Sequence, residues 1–268
     1  FDMLAPVVAA GTMNIPIAHI QGGELSGTID NVIRDVLTKF SSLHFVATEK
    51  SAQNLIDYGI KRETVYNYGC PAVEYITKLA VGDIFNAAHI SKKFKHPIHV
   101  TNDEKYFLVM VHPDTTNKHD VDMDKVLEAV SSFGFKTFIF YPNIDAHNAE
   151  IVSSIAKYSA NDNFFMIRHM PLEDFVHTMA HCVCMIGNSS SGIRESASFS
   201  TPFINIGERQ IGRERNKNTI DIGDDYDSLE ATIKMCMKLN LKKDNIYYQE
   251  NCSSRISNEI IKYIGVNE

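Results

Sequence analysis

The sequence predicts an α/β fold built on parallel sheets with crossover helices, and three observations carry that expectation. Short β-rich runs alternate with segments of helical periodicity along nearly the whole chain. The runs end at glycines or polar turns, as at Ile15–Ile20 before Gly22-Gly23 and Val65–Tyr68 before Gly69. The 268 residues, 44% of them hydrophobic, suffice for two compact domains or one large one and exclude a disordered chain.

Composition narrows the partners. Thirty-three acidic residues against twenty-six basic ones give a net charge of -7, and no run of Lys and Arg exceeds two, so no broad surface for nucleic acid is expected. A local phosphate pocket remains open. The longest apolar stretches fall far short of the roughly 20 residues of a membrane span, which predicts a soluble protein. Five cysteines, at 70, 182, 184, 236 and 252, make no disulfide framework in a chain of this size and fit a reducing cytoplasm. Cys182-Val183-Cys184 reads as buried core in a β-like run rather than as a metal pair. The eleven histidines show no HExxH-like spacing, so no metal is expected. The chain opens at Phe1-Asp2 without an initiator Met or a signal-peptide pattern, which predicts that it starts inside a protein.

The elements follow in order. Ile15–Ile20 reads as a buried strand. Ile29, Val32, Ile33, Val36, Leu37 and Phe40 stand at three- and four-residue steps and predict an amphipathic helix. Leu43–Ala47 is the next strand, Ser51–Tyr58 a helix closed by Gly59, Val65–Tyr68 a strand and Pro71–Leu79 a helix. Gly82–Asp103 is polar and irregular and suits a connection. Beyond it come strands at Tyr106–Val111, Thr137–Tyr141, Phe164–Ile167, Cys182–Ile186 and Phe203–Ile206. Helical patterns at Met123–Phe133, Ala149–Tyr158, Leu172–Ala180 and Arg194–Phe199 fall between them. The expected domains are 1–85, 86–253 and a terminal helix within 254–268 that packs back on the first. Three strands are few for a doubly wound domain, so the first is read as N-terminally truncated.

Several strand ends carry chemistry. Gly187-Asn188-Ser189-Ser190-Ser191-Gly192 joins a strand to a helix, a turn that can offer backbone N–H groups to an anion. The glycines are spaced neither as a P-loop nor as a dinucleotide fingerprint. Glu195 is read either as a first-turn carboxylate favouring the helix dipole or as an acceptor for two ribose hydroxyls. Gln21-Gly22-Gly23-Glu24-Leu25-Ser26-Gly27 lets a loop approach a ligand at the carboxyl end of a strand. Asp30 and Arg34 after it are either a surface ion pair or an acid/base held by a cation. His112 ends a strand where an imidazole can face a phosphate, or can simply cap it. Tyr141-Pro142-Asn143-Ile144-Asp145 and Arg168-His169-Met170-Pro171 repeat the geometry. Arg209 and Arg213, flanking Gly212, suit a diphosphate as well as they suit solvent.

Taken together and in order, Gly22-Gly23-Glu24, Gly27-Thr28-Ile29-Asp30 with Arg34, His112-Pro113, Pro142-Asn143-Ile144-Asp145, Gly187-Asn188-Ser189-Ser190 and Arg209-Gln210-x-Gly212-Arg213 resemble the hydrolysing UDP-N-acetylglucosamine 2-epimerases of sialic acid synthesis. The resemblance spans essentially the whole chain. It implies a glycosyltransferase B type fold, two Rossmann-like doubly wound domains with a cleft between them, UDP gripped by the C-terminal domain and a homodimer or homotetramer. It implies conversion of UDP-GlcNAc to ManNAc and UDP, by anti elimination of UDP across C1 and C2 to a glycal and then hydration with inversion at C2. No metal or redox cofactor is implied, and the partner is a UDP-sugar rather than nucleic acid or membrane.

Carried over residue by residue, the resemblance makes Asp30 an acid/base carboxylate and His112 a histidine near the diphosphate required for turnover. Asn143, Met170 through its backbone, Ser189, Ser190, Glu195 through the ribose diol and Arg209 become nucleotide contacts, with Gln21, Arg34 and Arg213 in support. Two departures stand out. The family usually carries Gly-Asp-Arg directly before the position of Phe1, including a catalytic Asp and a nucleotide-contacting Arg. Many members also have a catalytic Glu where this chain has Gln21. An amide there points to a related substrate, a UDP- or GDP-linked 2,4-diacetamido-trideoxyhexose of the legionaminic acid route, as the alternative. Animal members carry basic residues that bind CMP-sialic acid in the helix holding Ala149, Ser153 and Ala156 here, so a bacterial-type enzyme without that feedback is expected. A non-catalytic UDP-sugar binder and a glycosyltransferase of the same fold are the further alternatives.

Overall fold

A computed structural model describes residues 2–79, 82, 101, 103–114 and 121–265. The connection expected over Gly82–Asp103 lies largely outside them, as do Thr115 and Thr116 of the turn after His112. The chain forms two compact units: Phe1–Lys78 with Ile211–Glu214 and Asn245–Glu268, and Leu79–Gln210 with Arg215–Asp244.

In the first unit, β1 (Ala18–Ile20), β2 (Leu43–Val46) and β3 (Val65–Asn67) form a parallel sheet in that order. The helices are α1 (Leu4–Thr12), α2 (Asp30–Phe40), α3 (Glu49–Asp57) and α4 (Pro71–Thr77), with α10 (Cys252–Ile264) from the far end of the chain. The expected strand Ile15–Ile20 is shorter because residues 13–15 close α1: Asn14 has φ 56° and the Ile15 N–H returns to the Ala10 carbonyl. Helix α1 has no counterpart in the sequence reading. Pro6 and Gly11 weaken its propensity, yet a Cβ at Gly11 would lie 2.4 Å from the Phe40 ring, so glycine is what lets α1 approach α2. Helix α3 starts ahead of Ser51, because Thr48 caps it by accepting from the Ser51 N–H at 3.1 Å.

Small apolar clusters hold this unit among the described residues. Leu43 and Phe45 of β2 pack with Cys252 and Ile256 of α10, while Val46 meets Ala52 and Leu55 of α3. Helix α10 opens at Asn251 with φ 57° and no side-chain cap of its own. Buried Glu74 of α4 does that work, accepting from Ser253 N at 2.9 Å and Ser253 Oγ at 2.7 Å. Burial alone would push the Glu74 carboxyl up, but the hydrogen bonds from Lys78 and Ser253 outweigh it and hold the group at about 2.

The second unit carries β4 (Tyr106–Met110), β5 (Lys136–Phe140), β6 (Phe164–Ile167), β7 (Met185–Gly187), β8 (Phe203–Ile206) and β9 (Thr219–Gly223), all parallel, in the order β6-β5-β4-β7-β8-β9. Counted within the unit, that is the 3-2-1-4-5-6 order of a doubly wound dinucleotide-type sheet. The helices α5 (Met123–Ser131), α6 (Asn148–Lys157), α7 (Leu172–His181), α8 (Ser190–Arg194) and α9 (Leu229–Cys236) complete it. Val109, Ile139, Ile186 and Ile204 from adjacent strands meet Leu127, Ile155 and Ile233 from helices in one core.

Three differences from the sequence reading matter. The strand expected at Cys182–Ile186 is Met185–Gly187, because Cys182 still ends α7, its thiol donating to the Met179 carbonyl at 3.3 Å. All five cysteines are buried and in no disulfide. The helix expected at Arg194–Phe199 is α8 followed by a 3-10 turn over Ser196–Phe199, since Ser189 supplies a cap five residues earlier. Strand β9 and helix α9 were not anticipated, although Ile220 and Ile222 alternate and Leu229, Thr232, Ile233 and Cys236 keep helical spacing on the buried side.

Candidate functional site

In an open parallel sheet the strand order reverses at one point, and the crevice outside the carboxyl ends of those two strands is where ligands bind. In the second unit those strands are β4 and β7. Gly187 ends β7 with φ 138°, and a Cβ there would lie 2.0 Å from the Met110 carbonyl oxygen, so only glycine lets the two backbones come this close. Immediately beyond, Asn188 accepts from the His112 N–H and donates to the His112 carbonyl, both at 2.8 Å. This reciprocal pair ties the exits of the two strands together.

The rest of the crevice is arranged around that tie. The Asn188 carbonyl receives Arg209 Nη1 at 3.2 Å and Gln210 Nε2 at 2.9 Å, which fixes the segment leaving β8. The Asn143 N–H, beyond β5, donates to His112 Nδ1 at 3.3 Å. That assigns Nδ1 as the acceptor and leaves the proton of the neutral ring on Nε2. Burial, and then the Arg209 guanidinium, lower the His112 imidazole to about 4, against a raising hydrogen bond with Asn143. A ring so lowered is neutral near pH 7, with Nε2–H as its donor. Met170, past β6, is buried with its sulfur against Thr178 Oγ1 at 3.6 Å.

Ser189 caps α8, its hydroxyl accepting from Ser191 N at 3.4 Å, and Gly192 lets that helix lie on β8, where a Cβ would meet the Phe203 ring at 2.3 Å. Ser190 is the first residue of α8. Glu195 does not lie in a first helical turn, which removes the dipole reading: α8 runs Ser190–Arg194 and Glu195 follows its last residue. Burial pushes its carboxyl up, partly offset by Ser191 and Arg194.

In the first unit the loop after β1 is pinned at both ends. Gln21 takes φ 68°, its N–H donates to the Phe45 carbonyl at 2.7 Å, and its Nε2 donates to Cys70 Sγ at 3.1 Å. Gly23, at φ 75°, passes so close to α3 that a Cβ would sit 2.2 Å from the Ser51 carbonyl oxygen. Asp30 opens α2, is exposed, and accepts from Thr28 Oγ1 through Oδ2 at 3.3 Å. Arg34 Nη2 donates to Ser26 Oγ. Arg213 belongs to this unit and faces buried Glu24, Nε to Oε2 at 3.6 Å, whereas Arg209 belongs to the other. Among the described residues no group of three or more His, Cys, Asp or Glu could hold a metal, and no helix is long and apolar enough to cross a membrane.

Sequence reasoning named His112, Asn143, Met170, Ser189, Ser190, Glu195 and Arg209 and missed Asn188, which bonds His112 and Arg209, and Gln210, which bonds Asn188. Asn188 stood inside the quoted turn, where an amide flanked by glycine and serine could have been read as a backbone mimic.

Comparison with known proteins agrees with this architecture. Residues 1–261 match the family described as UDP-N-acetylglucosamine 2-epimerase. A hydrolysing UDP-N,N'-diacetylbacillosamine 2-epimerase of Legionella pneumophila is 34% identical over 259 residues, covering 95% of this chain and 66% of its own length. A UDP-N-acetylglucosamine 2-epimerase of Neisseria meningitidis is 31% identical over 221 residues, covering 82% of this chain and 56% of its own. The chain therefore spans about two thirds or less of these two relatives. A crystal structure of UDP-GlcNAc 2-epimerase from Neisseria meningitidis bound to UDP-GlcNAc superposes with a TM-score of 0.76 at 18% identity, over 97% of this chain and 73% of that one. The Staphylococcus aureus MnaA–UDP structure gives 0.75 at 20% identity, over 98% and 72%. At those identities the structures speak for the fold, two Rossmann-like α/β units, and the sequence match over nearly the whole chain places this protein in the UDP-N-acetylglucosamine 2-epimerase family.

Proposed function

We propose that the protein is a hydrolysing nucleotide-sugar 2-epimerase that converts UDP-GlcNAc to ManNAc and UDP. The observation that carries this reading is the convergence of His112, Asn188, Ser189 and Arg209 on the β4/β7 reversal, a crevice suited to a diphosphate. In the first half-reaction a base takes the proton from C2 while the C1–O bond to UDP breaks, giving a glycal. Water then adds across the double bond, hydroxyl to C1 and proton to C2, on the face that yields the manno configuration.

Each group has a part in this scheme. Asp30, exposed at the start of α2, is the proton-transferring carboxylate. Arg209 and the Nε2–H of His112 stabilise charge on the departing diphosphate. Ser189 and Ser190 bind its oxygens, Asn143 and the Met170 backbone hold the nucleotide, and Glu195 accepts the ribose hydroxyls. Burial supports that last role, because hydroxyl donors would favour the ionised form of a carboxyl that burial pushes up. Gln21 bears on the choice of sugar, with Arg34 and Arg213 in support. The chemistry calls for no cofactor, and the family's dimer or tetramer is the expected assembly.

A second reading, epimerisation of a UDP-linked 2,4-diacetamido sugar, is favoured by the Legionella relative's activity and by Gln21. Both are tested by incubating the full-length protein with UDP-GlcNAc and with the diacetamido analogue in deuterated water and reading the released sugar by NMR. Deuterium at an inverted C2 in one free sugar establishes reaction and substrate together. UDP binding without sugar release would make the protein a non-catalytic binder, and a requirement for an acceptor sugar would make it a transferase.

A further inference from the structure

The carboxylate and the arginine of the α2 face are joined through two hydroxyls. Arg34 Nη2 donates to Ser26 Oγ, Ser26 Oγ lies 3.3 Å from Thr28 Oγ1, and Thr28 Oγ1 lies 3.3 Å from Asp30 Oδ2. A guanidinium can only donate and an ionised carboxylate can only accept. With Asp30 ionised, one arrangement of protons therefore satisfies all three bonds: Arg34 to Ser26, Ser26 to Thr28, Thr28 to Asp30.

We propose that Ser26 and Thr28 are positioning residues for the reaction, a polarised relay that carries the positive character of Arg34 to Asp30 and fixes the direction of its carboxylate. This rests on the reading of Asp30 as the proton-transferring group. Three local features hold the relay in place. Thr28 is buried, the Ser26 N–H donates to Asn31 Oδ1 at 3.2 Å, and the Asn31 N–H returns to the Thr28 carbonyl at 3.0 Å. The loop is thus folded onto the first turn of α2, with the threonine hydroxyl aimed along it. The relay engages Oδ2 through a single small hydroxyl. Donors in series polarise one another, so each strengthens the next.

The test is steady-state kinetics of Thr28→Val, Thr28→Ser and Ser26→Ala in the full-length protein, with UDP-GlcNAc and the diacetamido sugar as substrates and UDP affinity measured by calorimetry. Thr28→Val keeps the shape and removes the relay, so kcat should fall roughly tenfold while KM and UDP affinity stay within about twofold. Thr28→Ser, which restores the hydroxyl, should recover kcat, and Ser26→Ala should lower it by less. Wild-type kcat in Thr28→Val would overturn the relay and leave the epimerase reading standing. Absence of wild-type turnover on either sugar would overturn both.

Discussion

The two units build the same kind of sheet and bury its central strands alike, but they hold the strand exits differently. In the second, β4, β7 and β8 are buried along almost their whole length, and the exits of β4 and β7 are locked by backbone contact and one amide. In the first, β2 is buried throughout, whereas β1, the edge of the three described strands, has both terminal residues exposed. A strand in a parallel sheet ordinarily reads as continuous core. The lesson is about where precision comes from. The β4/β7 crevice inherits its geometry from a packed sheet, whereas the loop leading to Asp30 depends on side-chain hydrogen bonds and on the close approach of Gly23 to α3. Changes to the second unit's frame should therefore cost stability first, and changes to the first unit's loop should cost geometry first.

The largest expected effect is at Gly187. Valine there must displace the Met110 carbonyl, a backbone atom that cannot rotate away, from a φ that disfavours any side chain. A loss of about 4 kcal/mol or more is expected in urea unfolding. Peptides of β4 and β7 should lose hydrogen-exchange protection while those of β2 and β3 keep theirs. Equal loss in both would break the contrast between the units.

Acid should act on both units together. Burial, then His44 and Arg34, lower His19 of the first unit to about 4, as burial and Arg209 do for His112 of the second. The ordinary imidazole value is 6.5, so the unfolded chain binds the proton first. Stability is therefore full above about pH 6.5 and falls as the pH drops toward 4, by up to about 3 kcal/mol for each ring. His19→Asn should flatten this dependence in first-unit peptides alone, and His112→Asn in second-unit peptides alone. Crossed effects would mean that the units do not titrate separately.

Asn188→Ala comes next. It strips the His112 N–H and carbonyl of their partner and withdraws nothing from the sheet itself, which predicts a loss of about 2 kcal/mol and weaker UDP binding by calorimetry. An unchanged UDP affinity would detach the strand-exit tie from the nucleotide site.

How much of this was legible follows the same divide. The five strands read from the sequence in the second unit lie where apolar runs meet polar turns, and the residues at their exits could be named because a parallel sheet puts function there. Asn188 and Gln210 were not, since their task is to satisfy other residues' backbone and no periodicity marks it. In the first unit Ile29, Val32 and Phe40 keep a helical spacing that predicts burial, yet they are 49%, 56% and 40% exposed. Spacing reports which face is apolar and says nothing of what covers it. Asp30 and Arg34 stand four apart, and the hydroxyls of Ser26 and Thr28 fold in to bond both. Sequence distance on a helix could not reveal a loop turning back on its first turn.

The smallest expected effect probes the first unit at its thinnest point. His19 Nδ1 of β1 lies 3.2 Å from Thr38 Oγ1 of α2, a side-chain hydrogen bond joining the exposed strand to the helix that carries Asp30 and Arg34. Thr38→Val preserves volume at a buried position and removes only that bond, for a loss of about 1 kcal/mol by urea unfolding. Because β1 is poorly covered, the exchange response should be confined to β1 and α2, and kcat should fall further than this small change in stability suggests. A stability loss exceeding that of Asn188→Ala would show that the first unit, too, draws its strength from packing, and the proposed division between a frame held by its core and a loop held by its side chains would fail.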